Sequence, residues 1–329
     1  MSHSVLHRLA RAVSRTGARH RFAIVPLFLS ATAFFCGLTP SRALACACGC
    51  GVFEVGTSSM FPTEAGGMVF LEYDYMDQYK NWSGDDRAPS ANNSDKEIRT
   101  HFMTAGLQYL FSRSWGLQVE VPVWNRYFKT TDPDTGNIVS FDHTDLSDIR
   151  VKGIYTGFSP DLSTGITFGL KLPTGNYTYP NFDRDTEIGT GSTDILLGAF
   201  HRGNLTSDNN WSWFVQGQSD LPVLRRDSYR PGVEFDAAAG VHYNGWSFGA
   251  DSQITPLLQV IGSYRFRDTG LAADTADSGY ARVLVSPGLA YNVGHVRVYG
   301  DVEFPVFAHV NGNQLVAPAL FKVIVGYVF

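Results

Sequence analysis

A chain of 329 residues with 44% hydrophobic, 13% aromatic and only 17% charged side chains has ample material for one large all-β body and too little for several enzymatic domains. Its mean hydropathy of −0.09 matches that of a soluble protein, yet strands that alternate lipid-facing and lumen-facing residues average to the same value, so hydropathy does not exclude a membrane barrel. The formal net charge of −5 lacks the basic footprint that nucleic acid requires of a partner.

Residues 1–45 read as a signal peptide. Arg8, Arg11, Arg15, Arg19 and Arg21 occur with no acid, an apolar stretch runs from Phe22 to Leu38, and Ala43-Leu44-Ala45 suits the small-residue cleavage rule. Phe22–Leu38 is short for a membrane anchor and contains Pro26. Cleavage after Ala45 removes six arginines, Arg42 included, which takes the formal charge to −11 and leaves Cys46 at the new N-terminus.

Residues 46–66 form a cysteine-bearing segment expected on the periplasmic side, and its Gly and Ser content leaves inward folding open. Cys46, Cys48 and Cys50 are separated by single small residues. Three thiolates so spaced can wrap one soft ion, Cu or Zn, because thiolates favour such metals and glycine lets the backbone curl. Two alternatives stand beside this metal site: a disulfide, which leaves one thiol unpaired, and lipidation of Cys46, which Ala43 in place of a leucine fits poorly. Cys36 leaves with the signal peptide.

From residue 67 onward the apolar pattern has a period of two, and no convincing helix-period segment interrupts it. About twelve strands are predicted, with cores near 67–77, 98–111, 115–128, 146–157, 163–172, 191–201, 210–221, 232–243, 246–264, 279–291, 295–307 and 314–329. The clearest is the last, where Phe321, Val323, Val325, Tyr327 and Phe329 fall on one face and Lys322, Ile324, Gly326 and Val328 on the other. The connections alternate in length. Ser112–Ser114, Phe158–Leu162, Tyr243–Gly245 and Asn292–Gly294 are short, whereas Lys80–Lys96, Thr130–Asp145, Thr174–Thr190 and Arg265–Ser278 are long and rich in Asp, Asn, Ser and Gly. An even strand count with short turns at one end and long loops at the other predicts a transmembrane antiparallel up-and-down β-barrel over residues 67–329. It would lie in the cell outer membrane, with both termini periplasmic. Aromatics near strand ends (Trp115, Trp124, Trp211, Trp213, Tyr291, Tyr327) and a strand ending on Phe329 favour it over a soluble sandwich or propeller. Such a terminal strand resembles the sequence that barrel-assembly machinery recognises.

The non-lipid parity of these strands predicts the lumen. It holds Glu120, Arg150, Lys152, Lys171, Asp194, Arg282, Arg297, Asp301 and Glu303, together with Glu72, Asp74, Asp148, Glu234, Asp236, Asp251, Arg265 and Lys322. Interleaved signs suit either salt-bridged networks that occlude the interior or opposed walls that a permeating solute passes.

Three stretches carry a family resemblance: Lys171-Leu172-Pro173-Thr174-Gly175, then Gly189-Thr190-Gly191-Ser192-Thr193-Asp194, then Pro305-Val306-Phe307 with Asn311-Gly312-Asn313-Gln314-Leu315. Their order and spacing resemble the outer-membrane proteins of the MetA-pathway of phenol degradation family, over about Leu71 to Phe329. The resemblance implies a barrel associated with uptake of aromatic or other small organic compounds, with no catalytic residue to carry over. The cysteine cluster is not part of that pattern.

Enzymatic constellations are thin. Asp142 and His143 share a predicted loop with Asp145, and His242 faces the predicted lumen with no serine beside it in sequence, whereas barrel hydrolases need a nucleophile and a base in contact. The function expected is a porin-like channel or transporter for small solutes, aromatic or hydrophobic compounds among them, by passive diffusion through the barrel, with outer-membrane lipid around it and no cofactor required. A metal-handling protein built on the CACGC cluster and a structural or interaction barrel are the alternatives.

Overall fold

The computed structural model describes residues 51–56, 60–248 and 251–329. Residues 1–45, expected as a signal peptide, and Cys46, Cys48 and Cys50 therefore lie outside the described residues.

Strand elements follow one another along the chain. The first eight are β1 (Gly66–Gln78), β2 (Lys80–Gly84), β3 (Asp86–Arg87), β4 (Asp95–Leu110), β5 (Trp115–Thr131), β6 (Ile138–Leu146), β7 (Arg150–Tyr155) and β8 (Thr164–Lys171). The rest are β9 (Thr193–Asn204), β10 (Trp211–Leu224), β11 (Glu234–Tyr243), β12 (Trp246–Phe248), β13 (Ser252–Arg265), β14 (Tyr280–Val293), β15 (Val296–Val316) and β16 (Leu320–Val328). Twelve wall strands close an antiparallel barrel, with β1 hydrogen-bonded to β4 on one side and to β16 on the other. The remaining elements are short or extend the wall.

The alternation seen in the sequence sets which face of each strand meets what. In β1, Val69, Leu71 and Tyr73 are exposed outward while Met68, Phe70, Asp74 and Met76 are buried inward. In β16 the same division separates Phe321, Val323, Val325 and Tyr327 from Lys322 and Ile324. Exposed apolar side chains therefore wrap the barrel as a band, a surface that only lipid covers without a large hydration cost. Closure pairs both edges of the twelve wall strands, leaving single-neighbour edges only at the rim elements β3, β6 and β12, as a membrane demands because unpaired backbone groups there cost several kcal/mol each. At the seam Gly67 and Phe329 exchange backbone hydrogen bonds of 2.8 Å each way. A Cβ on Gly67 would fall 2.3 Å from the Phe329 ring, so a larger residue there would push that ring off the strand.

Three expectations change. Thr130–Asp145 is no loop, because β5 continues to Thr131 and β6 pairs with it from Val123↔Leu146 to Thr131↔Ile138. Lys80–Lys96 likewise contains β2, which pairs with the tall upper part of β15. These extensions lack an apolar face because the wall there rises beyond the apolar band. At the opposite end the chain turns after Phe248 rather than at Tyr243–Gly245, since Trp246–Phe248 pairs back onto Ile254–Ser252. Asp251 lies exposed in that turn and not in the lumen.

Candidate functional site: a chamber between two plugs

The lumen is filled from both ends by the chain itself. From the short-turn end, residues 51–56 and 60–65 run inside the barrel, opening with a single turn of 3-10 helix at Gly51–Glu54. Phe53, Val55 and Phe61 are buried there against the wall. Phe61 stacks on Phe200 with centroids 4.5 Å apart, and Phe53 tilts against Phe102 at 5.3 Å.

Polar groups of the wall bond this plug along its length. Gln216 Nε2 donates to the Glu54 carbonyl at 3.3 Å, and Gly56 N donates to Gln216 Oε1 at 3.2 Å. Tyr299 donates to the Gly56 carbonyl at 3.2 Å. Lys322 Nζ donates to the Phe53 carbonyl. Gly56 has φ +81°, and a Cβ there would strike Gln259 at 2.9 Å, so glycine is required by both backbone and space.

From the long-loop end, residues 172–192 fold inward. Asp148, in the break between β6 and β7, accepts from Gly175 N at 3.0 Å, Thr190 N at 2.8 Å and Thr190 Oγ1 at 2.6 Å. Arg126 Nη1 donates to the carbonyls of Thr186 at 2.6 Å and Glu187 at 3.0 Å. Phe182 packs edge-on to Phe128 at 5.6 Å, within a cluster that includes Ile98 and Leu315. Burial pushes the Glu187 carboxyl up to about 7, against the pull of Arg184 and Arg126, and the Asp183 carboxyl up to about 6.

The three family-like stretches acquire a physical meaning here. Lys171 and Asp194 are register partners joined as an ion pair, which sets the first two stretches side by side as β8 ends and β9 begins. In the third, Asn313 N donates to Asp277 Oδ1 at 2.6 Å and Gln314 Nε2 to the Gly279 carbonyl at 2.9 Å, tying the 266–279 connection to β15. Gly312, at φ +61°, makes the bend.

Between the plugs lies a chamber with a cavity volume of about 150 Å³. Its lining combines aromatic rings, among them Phe70, Phe102, Trp124 and Phe200, with charged side chains and neutral polar ones such as Gln108, Gln118, Gln216 and Gln218. Lys152 binds Glu120 at 2.8 Å and Glu54 at 3.7 Å, and Arg150 pairs with Glu54 and reaches Asp220 at 3.7 Å. Lys171 binds Asp194 and lies 3.8 Å from Asp220. Among the predicted lumen charges, Glu120, Arg150, Lys152, Lys171 and Asp194 thus meet in this one chamber, which Glu72, Asp74, Asp148, Glu234 and Arg265 also line.

Four more predicted lumen charges lie elsewhere on the inner wall. Asp301 and Glu303 are buried beside Lys322 behind the plug, Arg282 lies over the Tyr280 ring at 4.7 Å, and Arg297 donates to Thr63 Oγ1 at 3.1 Å near the short-turn rim. Sequence reasoning passed over Asp220 and Arg126, although the same parity assigns both to the inner face. It also passed over Glu54, whose place inside the barrel no periodicity records.

The register also sets Ser212 opposite His242, a neighbour that sequence distance hid. The Ser212 hydroxyl is taken by Asn204 Oδ1 at 3.1 Å and Asn244 Nδ2 at 2.8 Å. His143 stacks on Tyr179 at 4.0 Å and lies 3.4 Å from Asp145. Neither arrangement sets a nucleophile against a base. Among the described residues no group of three His, Cys, Asp or Glu is arranged to hold a metal ion.

No family model and no curated protein matches this sequence. Among solved structures, the COG4313 outer membrane channel from Pseudomonas putida F1 shares the fold, with a TM-score of 0.63 at 12% identity over 84% of this chain and 100% of that one. That channel is of the same family as the MetA-pathway phenol degradation proteins. Looser similarity reaches the CymD monoaromatic hydrocarbon channel (TM-score 0.43, 9% identity, 87% of this chain, 94% of that one). The Ralstonia pickettii toluene transporter TbuX is comparable (TM-score 0.40, 9% identity, 88% of this chain, 95% of that one).

Proposed function

We propose that this chain is an outer-membrane channel that passes small, partly apolar organic solutes by passive diffusion, with its short turns and both chain ends on the periplasmic side. The observation that carries this reading is the chamber. A closed barrel with a lipid-facing band encloses a cavity of about 150 Å³, room for a single aromatic ring, lined by aromatic, charged and neutral polar side chains, and both obstructions are single-chain segments bonded to the wall rather than packed wall strands. Such segments withdraw without breaking the barrel, whereas a core of interlocked wall side chains does not. The fold shared with an outer membrane channel agrees with it. The seam strand β16, ending at Phe329, would be the part presented to the assembly machinery.

The test is current through protein extracted from the membranes of expressing cells and placed in a planar bilayer, alongside flux of toluene and phenol into vesicles. Ionic openings, or aromatic flux above empty vesicles, are expected. A correctly folded barrel that passes neither ions nor aromatics would rule the channel out.

A further inference from the structure

We infer that the chamber binds compact organic cations with an apolar body, of the arylalkylammonium type, and that Asp74 receives the ammonium group. This rests on the channel reading above and adds the class of solute.

The charges lining the chamber do not balance. Four cations, Arg150, Lys152, Lys171 and Arg265, face eight carboxylates. Most of these carboxylates are engaged: Glu54, Glu120, Asp194, Asp220 and Glu234 lie within ion-pair distance of those cations, and Asp148 is held by its three hydrogen bonds. Glu72 and Asp74 remain, and they share one ammonium with two further acids. Lys322 lies 3.5 Å from Glu72 and is flanked by Asp74, Asp301 and Glu303. Lys322, with Arg282 acting on Glu303 alone among them, thus serves four carboxylates. Asp301 is bonded by Tyr299 at 2.5 Å and Gln259 at 2.9 Å. Glu303 is wholly buried with neither oxygen accepting a hydrogen bond, and Asp74, 3% exposed, has an unpartnered Oδ1 while lining the chamber. A buried acceptor left empty costs roughly 1–3 kcal/mol, more when charged, and a mobile cation removes that cost.

The neighbouring wall suits an apolar body on the same molecule. Register aligns Asp301, Lys322, Asp74, Phe102 and Trp124 in one transverse row. The acidic end of that row meets its aromatic end at Asp74 and Phe102. Phe102 and Trp124 stand edge to face at 4.9 Å, and an ammonium beside such rings gains cation–π attraction. The plug already models this occupancy, since the Phe53 ring lies against Phe102 with Lys322 Nζ 5.5 Å from its centroid. A bound aryl group takes the place of Phe53 as the plug withdraws. Anions of equal shape meet the carboxylate excess and are disfavoured.

The test compares three molecules with one ring and a two-carbon arm: phenethylammonium, 2-phenylethanol and phenylacetate. Binding to the folded full-length barrel is measured by calorimetry, and entry by flux into vesicles. We expect phenethylammonium to bind at least about tenfold more tightly than phenylacetate, and Asp74→Asn to erase most of that difference while leaving 2-phenylethanol unchanged. The wild-type comparison needs no variant, and Glu303→Gln, which acts through the same cluster from behind the plug, should weaken the preference if Asp74→Asn does not fold. Equal or tighter binding of phenylacetate overturns the inference, as does a preference that survives both substitutions. If only 2-phenylethanol enters, the channel reading stands and this inference falls. If none of the three binds or crosses, this inference falls, and the channel reading falls with it only if ions, toluene and phenol fail to pass as well.

Discussion

Gly175 and Gly189 lie back to back, so close that a Cβ built on Gly189 would sit 2.4 Å from the carbonyl carbon of Gly175. The contact closes the base of the inward-folded 172–192 connection, and Asp148 bonds to the residues on either side of it.

Gly189→Ala should therefore pry this connection open. Overpacking against backbone costs about 1–3 kcal/mol, and here the strain falls on the plug rather than on the wall ladders. We expect faster proteolysis within 172–192 and larger or more frequent openings in a planar bilayer, with the folded barrel retained. Unchanged proteolysis would mean that the knot does not hold the plug shut.

The second plug depends on Glu54. Its carboxylate joins Arg150 and Lys152 and accepts from Gln218 Nε2 at 3.2 Å. Glu54→Ala leaves two buried cations short of a partner, a loss of about 3–5 kcal/mol for a fully buried pair and less here because the groups retain some exposure. Conductance should rise severalfold. Adding Arg150→Ala should recover thermal stability without restoring closure, and a double variant that closes again would point to a wall effect instead.

The plug of residues 172–192 also has a pH dependence with a definite sign. Its Glu187 carboxyl, pushed up to about 7 by burial, holds its proton more tightly when the loop is folded in than when it is open and hydrated. The folded-in state is thus most favoured below the ordinary value of 4.5, and this advantage is lost as pH rises through about 7. Openings should be rarer at pH 5 than at pH 8. Glu187→Gln should flatten the profile between those values, and a profile that persists would move the titration to Asp183 or elsewhere.

Replacing Cys46, Cys48 and Cys50 together by serine separates the metal reading from the channel reading. Channel activity should be unaltered, while any copper or zinc that copurifies with the wild-type protein, assayed by elemental analysis, should be lost. A fall in solute flux on this change, or on chelation, would make the cluster part of transport.

The barrel was legible in the sequence where one strand face meets lipid and the other does not, as in β16. It faded where both faces meet water: β6, from Ile138 to Leu146, carries Asp142, His143, Thr144 and Asp145 without an apolar stripe, so only its pairing with β5 reveals it. Parity located the chamber charges Glu120, Arg150, Lys152, Lys171 and Asp194 because inward direction is a local property of a strand. It was silent on Glu54 and Phe53, which reach the same chamber through a fold-back that has no period. It was equally silent on Ser212 beside His242, because register between β10 and β11 is set by the turn between them rather than by either strand alone.

The seam at Gly67 and Phe329 gives the barrel an order of events. Those two residues are separated by nearly the whole chain, and their mutual hydrogen bonds, with the Phe329 ring laid over Gly67, are the last link in the ring of strands. Every other pairing among the twelve wall strands joins strands that follow one another along the chain, and the long-range pairing of β2 with β15 only extends the rim, whereas this one bears the greatest loop-closure entropy and yields nothing until both ends meet. Loss of Phe329 alone would leave hairpins formed but the cylinder slow to shut, so damage at this single position would register in the rate of insertion well before it registered in the strength of the finished wall.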